Sequence, residues 1–305
     1  MILGDIRFGQ NDTFTGFHPV VNLVFFVAVI GFAMFLMHPV SLVVSFVCGA
    51  VYAVYLRGVR ALRIGLLFLL PLALFTAVLN PLFNHQGVTI LAYLPNGNPI
   101  TAESIAFGFA AAGMLVTVIT WFSCFNVVMT SDKFVYLFGR VLPALSLILS
   151  MALRLVPRFF AKLRVIANAQ AGIGRDVTQG NIFRRARSGI LILSIMVTWA
   201  LENAIDTADS MKARGYGLPG RTTFSIFRFA RRDGYALGYI VALVGVVFIG
   251  VRGGAYSFRF FPSIRGQWTG AFTIVVFVAQ FALCVLPLML NLKEDLYWKR
   301  IESQI

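Results

Sequence analysis

The residue types best suited to chemistry in this chain point to recognition rather than to covalent catalysis. Met211-Lys212-Ala213-Arg214-Gly215-Tyr216-Gly217 closes a helical pattern, and Pro219 prevents its resumption. Glycine after a basic last turn is an ordinary helix ending, because Lys and Arg complement the negative end of the helix dipole and glycine accepts left-handed geometry. The same tip also suits a partner. Small Ala213 would let it enter a groove, and the Arg214 guanidinium would make forked pairs with carboxylates lining that groove. Periodicity alone does not choose between an ending and a docking tip.

Two charged stripes lie upstream. Arg154, Arg158 and Lys162 recur at i, i+4 and i+8 on a helix-compatible stretch, Leu142 to Gln170. Glu202, Asp206 and Asp209 recur at i, i+4 and i+7 on a second stretch, Ile190 to Lys212. Each stripe begins where an apolar segment ends, so the two helices are expected to cross and to pair at least one basic with one acidic residue, fixing their angle. The alternative is that each stripe faces water or a partner separately. A third cluster, Asn80-Pro81-Leu82-Phe83-Asn84-His85-Gln86-Gly87, is free of charge apart from His85 and reads as a turn region shaped by Pro, Gly and Asn. A solute contact at His85 is its sharper reading.

Enzymatic chemistry finds little support in the sequence. The three histidines form no metal-binding cluster, and no phosphate-cradling Gly-Lys-Ser/Thr loop is present. Neither a metal nor a cofactor is expected. Cys48, Cys124 and Cys284 are isolated and suit packing rather than a disulfide framework. The net charge of +14 gathers at the predicted cytoplasmic ends, where membrane topology and anionic lipid account for it without nucleic acid.

The elements that carry these residues follow from composition. Of 305 residues, 59% are hydrophobic and 12% charged, against roughly a quarter charged in a soluble domain. With a mean hydropathy of +0.83, the pattern predicts an all-α polytopic bundle in a lipid bilayer. Apolar runs near Val20 to Met37, Val40 to Leu56, Ile64 to Leu79, Ser104 to Phe125, Gly234 to Val251 and Ala271 to Leu290 give about six spans. The first run lacks a cleavage site and is read as a retained helix. Pro71 and Pro287 are candidate kinks.

Placing the amino terminus inside puts all Lys and Arg in the cytoplasm except Arg252, Arg259 and Arg265, and both termini are then cytoplasmic. Residues 1–129 would hold four spans, 130–232 a cytoplasmic region of long amphipathic helices, and 233–305 the last two spans with a cytoplasmic tail. The segment Thr130 to Arg232 is too long to be a loop without structure of its own. An eight-span reading, with Leu142 to Leu153 and Ile190 to Leu201 as span ends, remains open, although a dozen apolar residues is short for a crossing.

The Ala213-Arg214-Gly215 tip, the run Ala152-Leu153-Arg154-Leu155-Val156-Pro157-Arg158-Phe159, the Asn80 to Gly87 stretch and the membrane layout together resemble the transmembrane coupling subunit of energy-coupling factor transporters, the T component of the CbiQ/EcfT type. The resemblance covers essentially the whole chain. It implies a subunit that couples two ABC-type ATPases, which engage two cytoplasmic helix tips ending in Ala-Arg-Gly or Ala-Arg-Ser, to a small membrane substrate-binding subunit. Vitamins or transition-metal ions would be the cargo, and ATP hydrolysis would belong to the partners. The second tip motif carries over to Ala213, Arg214 and Gly215. The first falls on Gly172-Ile173-Gly174-Arg175, where Ile173 stands in the place of the expected arginine. Either Arg175 makes the contact or this tip docks through apolar and backbone groups. The apolar reading is preferred, since two residues along a helix turn a side chain by roughly 200°.

The rival is a self-sufficient secondary transporter or channel, which would place ionisable groups near the bilayer midplane. The six spans have none at their centres. Gly108, Ala110, Ala111, Ala112 and Gly113 form a small-residue surface suited to packing this bundle's own helices or, alternatively, the substrate-binding partner.

Overall fold

The computed structural model describes residues 12–93, 95, 97–141, 143–178, 180–216, 218, 227–266 and 270–302. Leu142, Gly217 and Pro219, used above, lie outside them. In chain order the elements are a 3-10 turn at Thr13–Gly16, α1 (Pro19–Phe35), α2 (Pro39–Arg57), α3 (Val59–Ile64), a π-helical turn at Gly65–Leu69, α4 (Leu70–Phe83), β1 (Ile90–Tyr93), β2 (Pro99–Thr101) and α5 (Ala102–Val128). There follow α6 (Ser131–Val141), α7 (Pro143–Gly172), α8 (Ile182–Ala213), α9 (Arg231–Arg252), β3 (Phe258–Arg259), β4 (Arg265–Gly266) and α10 (Ala271–Glu302). The fold is the expected all-α bundle. The described chain divides into one unit of Met1–Thr130 with Phe227–Ile305 and a second of Ser131–Ile226.

In the first unit, α1 and α2 start by one device. His18 and His38 precede a proline at the first helical position, and each imidazole Nδ1 accepts the N–H of Val20 or Val40 at 3.3 Å. Proline there loses no hydrogen bond, because the first N–H groups of a helix have no internal partner. The bundle closes around Trp121 of α5, fully buried among Phe25, Phe26 and Tyr52, with its indole N–H donating to Ser45 Oγ at 3.0 Å. Asp12, at the start of the 3-10 turn, accepts from Tyr52 Oη at 3.0 Å and from Asn291 Nδ2 at 2.6 Å, pinning that turn to α2 and α10.

All six predicted apolar runs fall on helices of this unit. The third is carried by the end of α3, the π turn and α4, with Pro71 in the first turn of α4, where its missing N–H is harmless. Among the described residues, five helices are long and apolar enough to cross a membrane by length and composition: α2, α5, α8, α9 and α10 as far as Trp298. Helix α8 was expected to begin at Ile190. It begins at Ile182, because Asn181 accepts the Ile182 N–H at 2.7 Å and the intervening arginines are good helix formers.

The second unit is a pair of long helices, α7 and α8, with α6 packed against α7. Phe159 of α7 meets Trp199 of α8 edge to face, ring centroids 5.6 Å apart, and Ile166, Ser188 and Ile192 are buried.

Candidate functional site

The two long helices of the second unit end in the same way. In α8, Gly215 has φ +77°; its N–H donates to Lys212 O at 3.0 Å, and the Tyr216 N–H reaches back to Met211 O at 3.1 Å. In α7, Gly174 has φ +78°; its N–H donates to Ala171 O at 3.0 Å, and the Arg175 N–H reaches Gln170 O at 2.9 Å. These paired bonds satisfy carbonyls that the helix leaves without partners, and a left-handed residue at the turning point makes them possible. The match runs residue by residue. Gly172 corresponds to Ala213, Ile173 to Arg214, Gly174 to Gly215 and Arg175 to Tyr216.

Arg214 and Ile173 therefore hold one backbone position with different chemistry, and both are exposed, Ile173 at 64%. Arg175 lies one residue beyond the glycine, where Tyr216 stands in the other tip. The chain after the first tip folds back on itself. Asp176 accepts from the Thr178 N–H at 2.8 Å and from the Thr178 hydroxyl at 2.7 Å, which holds its carboxyl below the usual carboxylate range, and Arg185 Nε donates to Val177 O at 2.8 Å. The Asp-x-Thr spacing carried that turn signal in the sequence.

The charged stripes do not pair. Lys212 pairs with Asp209 at 3.7 Å, within α8, and Arg232 with Asp233 at 3.9 Å in the first unit, while no ion pair joins Arg154, Arg158 or Lys162 to Glu202, Asp206 or Asp209. Arg154, Arg158, Glu202, Asp206 and Asp209 are exposed. Lys162 instead sits over the Trp199 ring, 5.5 Å from its centroid. The reason is which faces meet: Phe159 and Trp199 occupy the contact, and the stripes flank it. A cation over an indole contributes about 0.5–1 kcal/mol at an exposed site, similar to an exposed ion pair but without a partner carboxylate. Trp199 was not singled out from the sequence, where a lone aromatic in a helical run reads as packing.

In the first unit the Asn80–Gly87 stretch has a structural account. Thr101 caps α5 and donates its hydroxyl to Gln86 O at 2.7 Å, while buried Glu103 accepts from the Thr89 hydroxyl at 2.9 Å and the Thr89 N–H at 3.2 Å. A Cβ on Gly87 would come within 2.6 Å of Glu103 Oε2 and of Thr101 Oγ1, and one on Gly108 within 2.6 Å of Ala77 O. Glycine is needed where the loop and α4 close on α5. Gly108 thus serves this unit's own packing.

A family model described as "CbiQ: Cobalt transport protein" matches residues 12–225, more than half of the chain. The chain belongs to the CbiQ family. Among its relatives, "Energy-coupling factor transporter transmembrane protein EcfT" of Lacticaseibacillus paracasei is 29% identical over 225 residues, which are 70% of this chain and 82% of that protein. The protein of the same name from Lactobacillus helveticus is 37% identical over 106 residues, 34% of this chain and 38% of the relative, and that from Bacillus selenitireducens is 29% identical over 194 residues, 60% and 72% of the two chains. This CbiQ-family chain is accordingly a T component of the energy-coupling factor type, a multi-pass membrane subunit of a larger transport complex. The resemblance read from the tips and the apolar layout is upheld.

Proposed function

We propose that the chain transmits motion from two ABC-type ATPases, one at each capped helix tip, to a small membrane substrate-binding subunit, in an importer of a vitamin or a metal ion. The observation that carries this reading is the twin ending of α7 and α8. Two helices of 30 and 32 residues, packed through Phe159 and Trp199, finish in left-handed glycine caps with the same hydrogen-bond pattern. A helix of that length moves its far end as a lever, and a hydrogen-bonded cap keeps the tip from fraying under load. Ala213, Arg214 and Gly215 form the tip for one ATPase; Gly172, Ile173 and Gly174, with Arg175 alongside, form the tip for the other. Residues 130–232 serve as the cytoplasmic coupling region between membrane segments 1–129 and 233–305, with both termini in the cytoplasm. ATP hydrolysis belongs to the partners.

The test is purification of the tagged full chain from its native membrane. Two nucleotide-binding ABC subunits and a small membrane protein should accompany it in ATP-dependent uptake-competent vesicles. Uptake by the chain alone, driven by an ion gradient, would instead favour the secondary-transporter reading.

A further inference from the structure

The chain re-enters the first unit at Phe227, and its hold there is narrow. Of residues 227–239 only Asp233 is buried, at 2% exposure, while Arg231, Arg232, Gly234 and Tyr235 around it are exposed. A buried carboxylate is costly unless its oxygens are hydrogen-bonded. Those of Asp233 are: Oδ2 accepts the Ala230 N–H at 2.8 Å, at the start of α9, and Oδ1 accepts the His18 N–H at 3.2 Å, 215 residues earlier in the chain. Arg232 grips the same segment from the exposed side. Its Nη2 donates to Gly16 O at 2.7 Å, its guanidinium lies 5.0 Å from the Phe17 ring centroid, and its Nε lies 3.9 Å from Asp233 Oδ1. Phe229 and His18 meet edge to face at 5.2 Å. The other end of the segment is fastened elsewhere in the bundle. Asp12, also buried, is held by Tyr52 and Asn291, and the Thr13 N–H donates to Asn291 Oδ1 at 2.8 Å. Residues Asp12 to His18 thus form a strap from α2 and α10 to the first turn of α9.

We infer that this strap is the fixed point against which the second coupling arm works, with Arg232 and Asp233 as its positioning residues. The arm ending at Arg214 continues along the chain into α9, so a load on the tip reaches Ala230 to Asp233 before it reaches the rest of that helix. The next buried side chain of α9 is Ile240, about two turns further on. Clamped at its start, α9 passes the load through the strap to α2 and α10. Released, its first two turns would open locally and absorb the movement. Hydrogen bonds made by charged groups suit the task, since they are stronger than neutral ones and here reach backbone groups that no side-chain rotation can withdraw. The role rests on the coupling reading of the Arg214 tip but uses the chemistry of neither tip.

The experiment follows amide hydrogen exchange in the full chain, held in nanodiscs with its co-purified ABC-type ATPases, without nucleotide and during ATP turnover. In the unchanged chain the Tyr216 amide at the second tip should respond to ATP, while those of His18 and Ala230 exchange slowly and equally in both states. Arg232→Gln alters an exposed side chain, so it should leave melting and nucleotide-free exchange unchanged, yet speed the His18 and Ala230 amides at least about fivefold during turnover. Arg232→Lys keeps a cation over Phe17 and should stay close to the unchanged chain. Joining Gly16→Cys to Arg232→Cys with a short bismaleimide should restore slow exchange during turnover, since a Cβ at 16 lies 3.8 Å from Arg232 Nη2 and the native cysteines are buried. His18 and Ala230 amides that speed up with ATP in the unchanged chain mean a strap that opens, and overturn the inference. So do an Arg232→Gln chain that matches the unchanged one, a rise in that variant that is equal with and without ATP, and a linked chain that still exchanges fast. A Tyr216 amide indifferent to ATP in the unchanged chain overturns the coupling reading first and the anchor with it.

Discussion

Ile173 and Arg214 occupy the same backbone position, the last residue before a left-handed glycine, at the ends of α7 and α8. The equivalence decides which residue of the first tip is expected to meet a partner. Ile173→Asp should lower ATPase co-purification and uptake at least about tenfold, equivalent to about 1.4 kcal/mol, because a carboxylate would enter an apolar contact. Arg175→Glu should have a smaller effect, since Arg175 stands where Tyr216 does. Equal losses in pull-downs of the two variants would assign the contact to Arg175.

The caps themselves are testable. Gly174→Ala and Gly215→Ala force a Cβ into left-handed geometry at a cost of about 1–2 kcal/mol each and should fray the tips. Gly172→Ala has open space around its new Cβ and reproduces the Ala of the other tip, so it should be neutral or slightly stabilising. Hydrogen exchange at the Arg175 and Tyr216 amides distinguishes the cases: faster in the first two variants, unchanged in the third.

Without ion pairs between the stripes, the double variant Arg154→Glu/Glu202→Arg should show an interaction energy near zero, the two single effects simply adding. Trp199→Ala should loosen α7 from α8 by less than the roughly 3–5 kcal/mol of a fully buried tryptophan, because Trp199 is only half-buried. Thermal unfolding of the unchanged chain, the two single variants, the double variant and Trp199→Ala measures both. Rescue by the charge swap would restore the pairing idea.

Gly108→Ala presses a methyl against the Ala77 carbonyl oxygen at 2.6 Å, and Gly87→Ala presses one against the Glu103 and Thr101 side chains at 2.6 Å from a backbone with φ +144°, so each should destabilise the first unit by about 1–3 kcal/mol. Lower melting in detergent, with the hydrogen exchange of α7 and α8 unchanged, is the expected signature.

The apolar runs foretold the helices of the first unit because, in a lipid-facing bundle, composition alone marks a span. The end of α8 was legible through Gly215, whereas the stretch read for α7 stopped at Gln170 and its tip was placed by the family resemblance. What escaped was whatever depends on which faces meet. The stripes gave the rows of Arg154 and Glu202 but not their neighbours, and Trp199 set those. The start of α8 was missed because Arg184, Arg185 and Arg187 interrupt the apolar run without interrupting the helix, and the Asn181 cap was the overlooked sign. The β1–β2 hairpin left no sign in the sequence, because its strands have four and three residues, too short for alternation to show.

The most direct test of the coupling role is Arg214→Glu in the full transporter, reading uptake and ATPase activity together. If Arg214 pairs in a partner groove as proposed, reversing its charge costs roughly 2–5 kcal/mol there, and the substitution lies in the second unit at an exposed position. The expected result is a folded chain whose ATPases are lost from the complex or hydrolyse ATP without uptake. Normal ATPase association with normal uptake in this variant would contradict the proposed function.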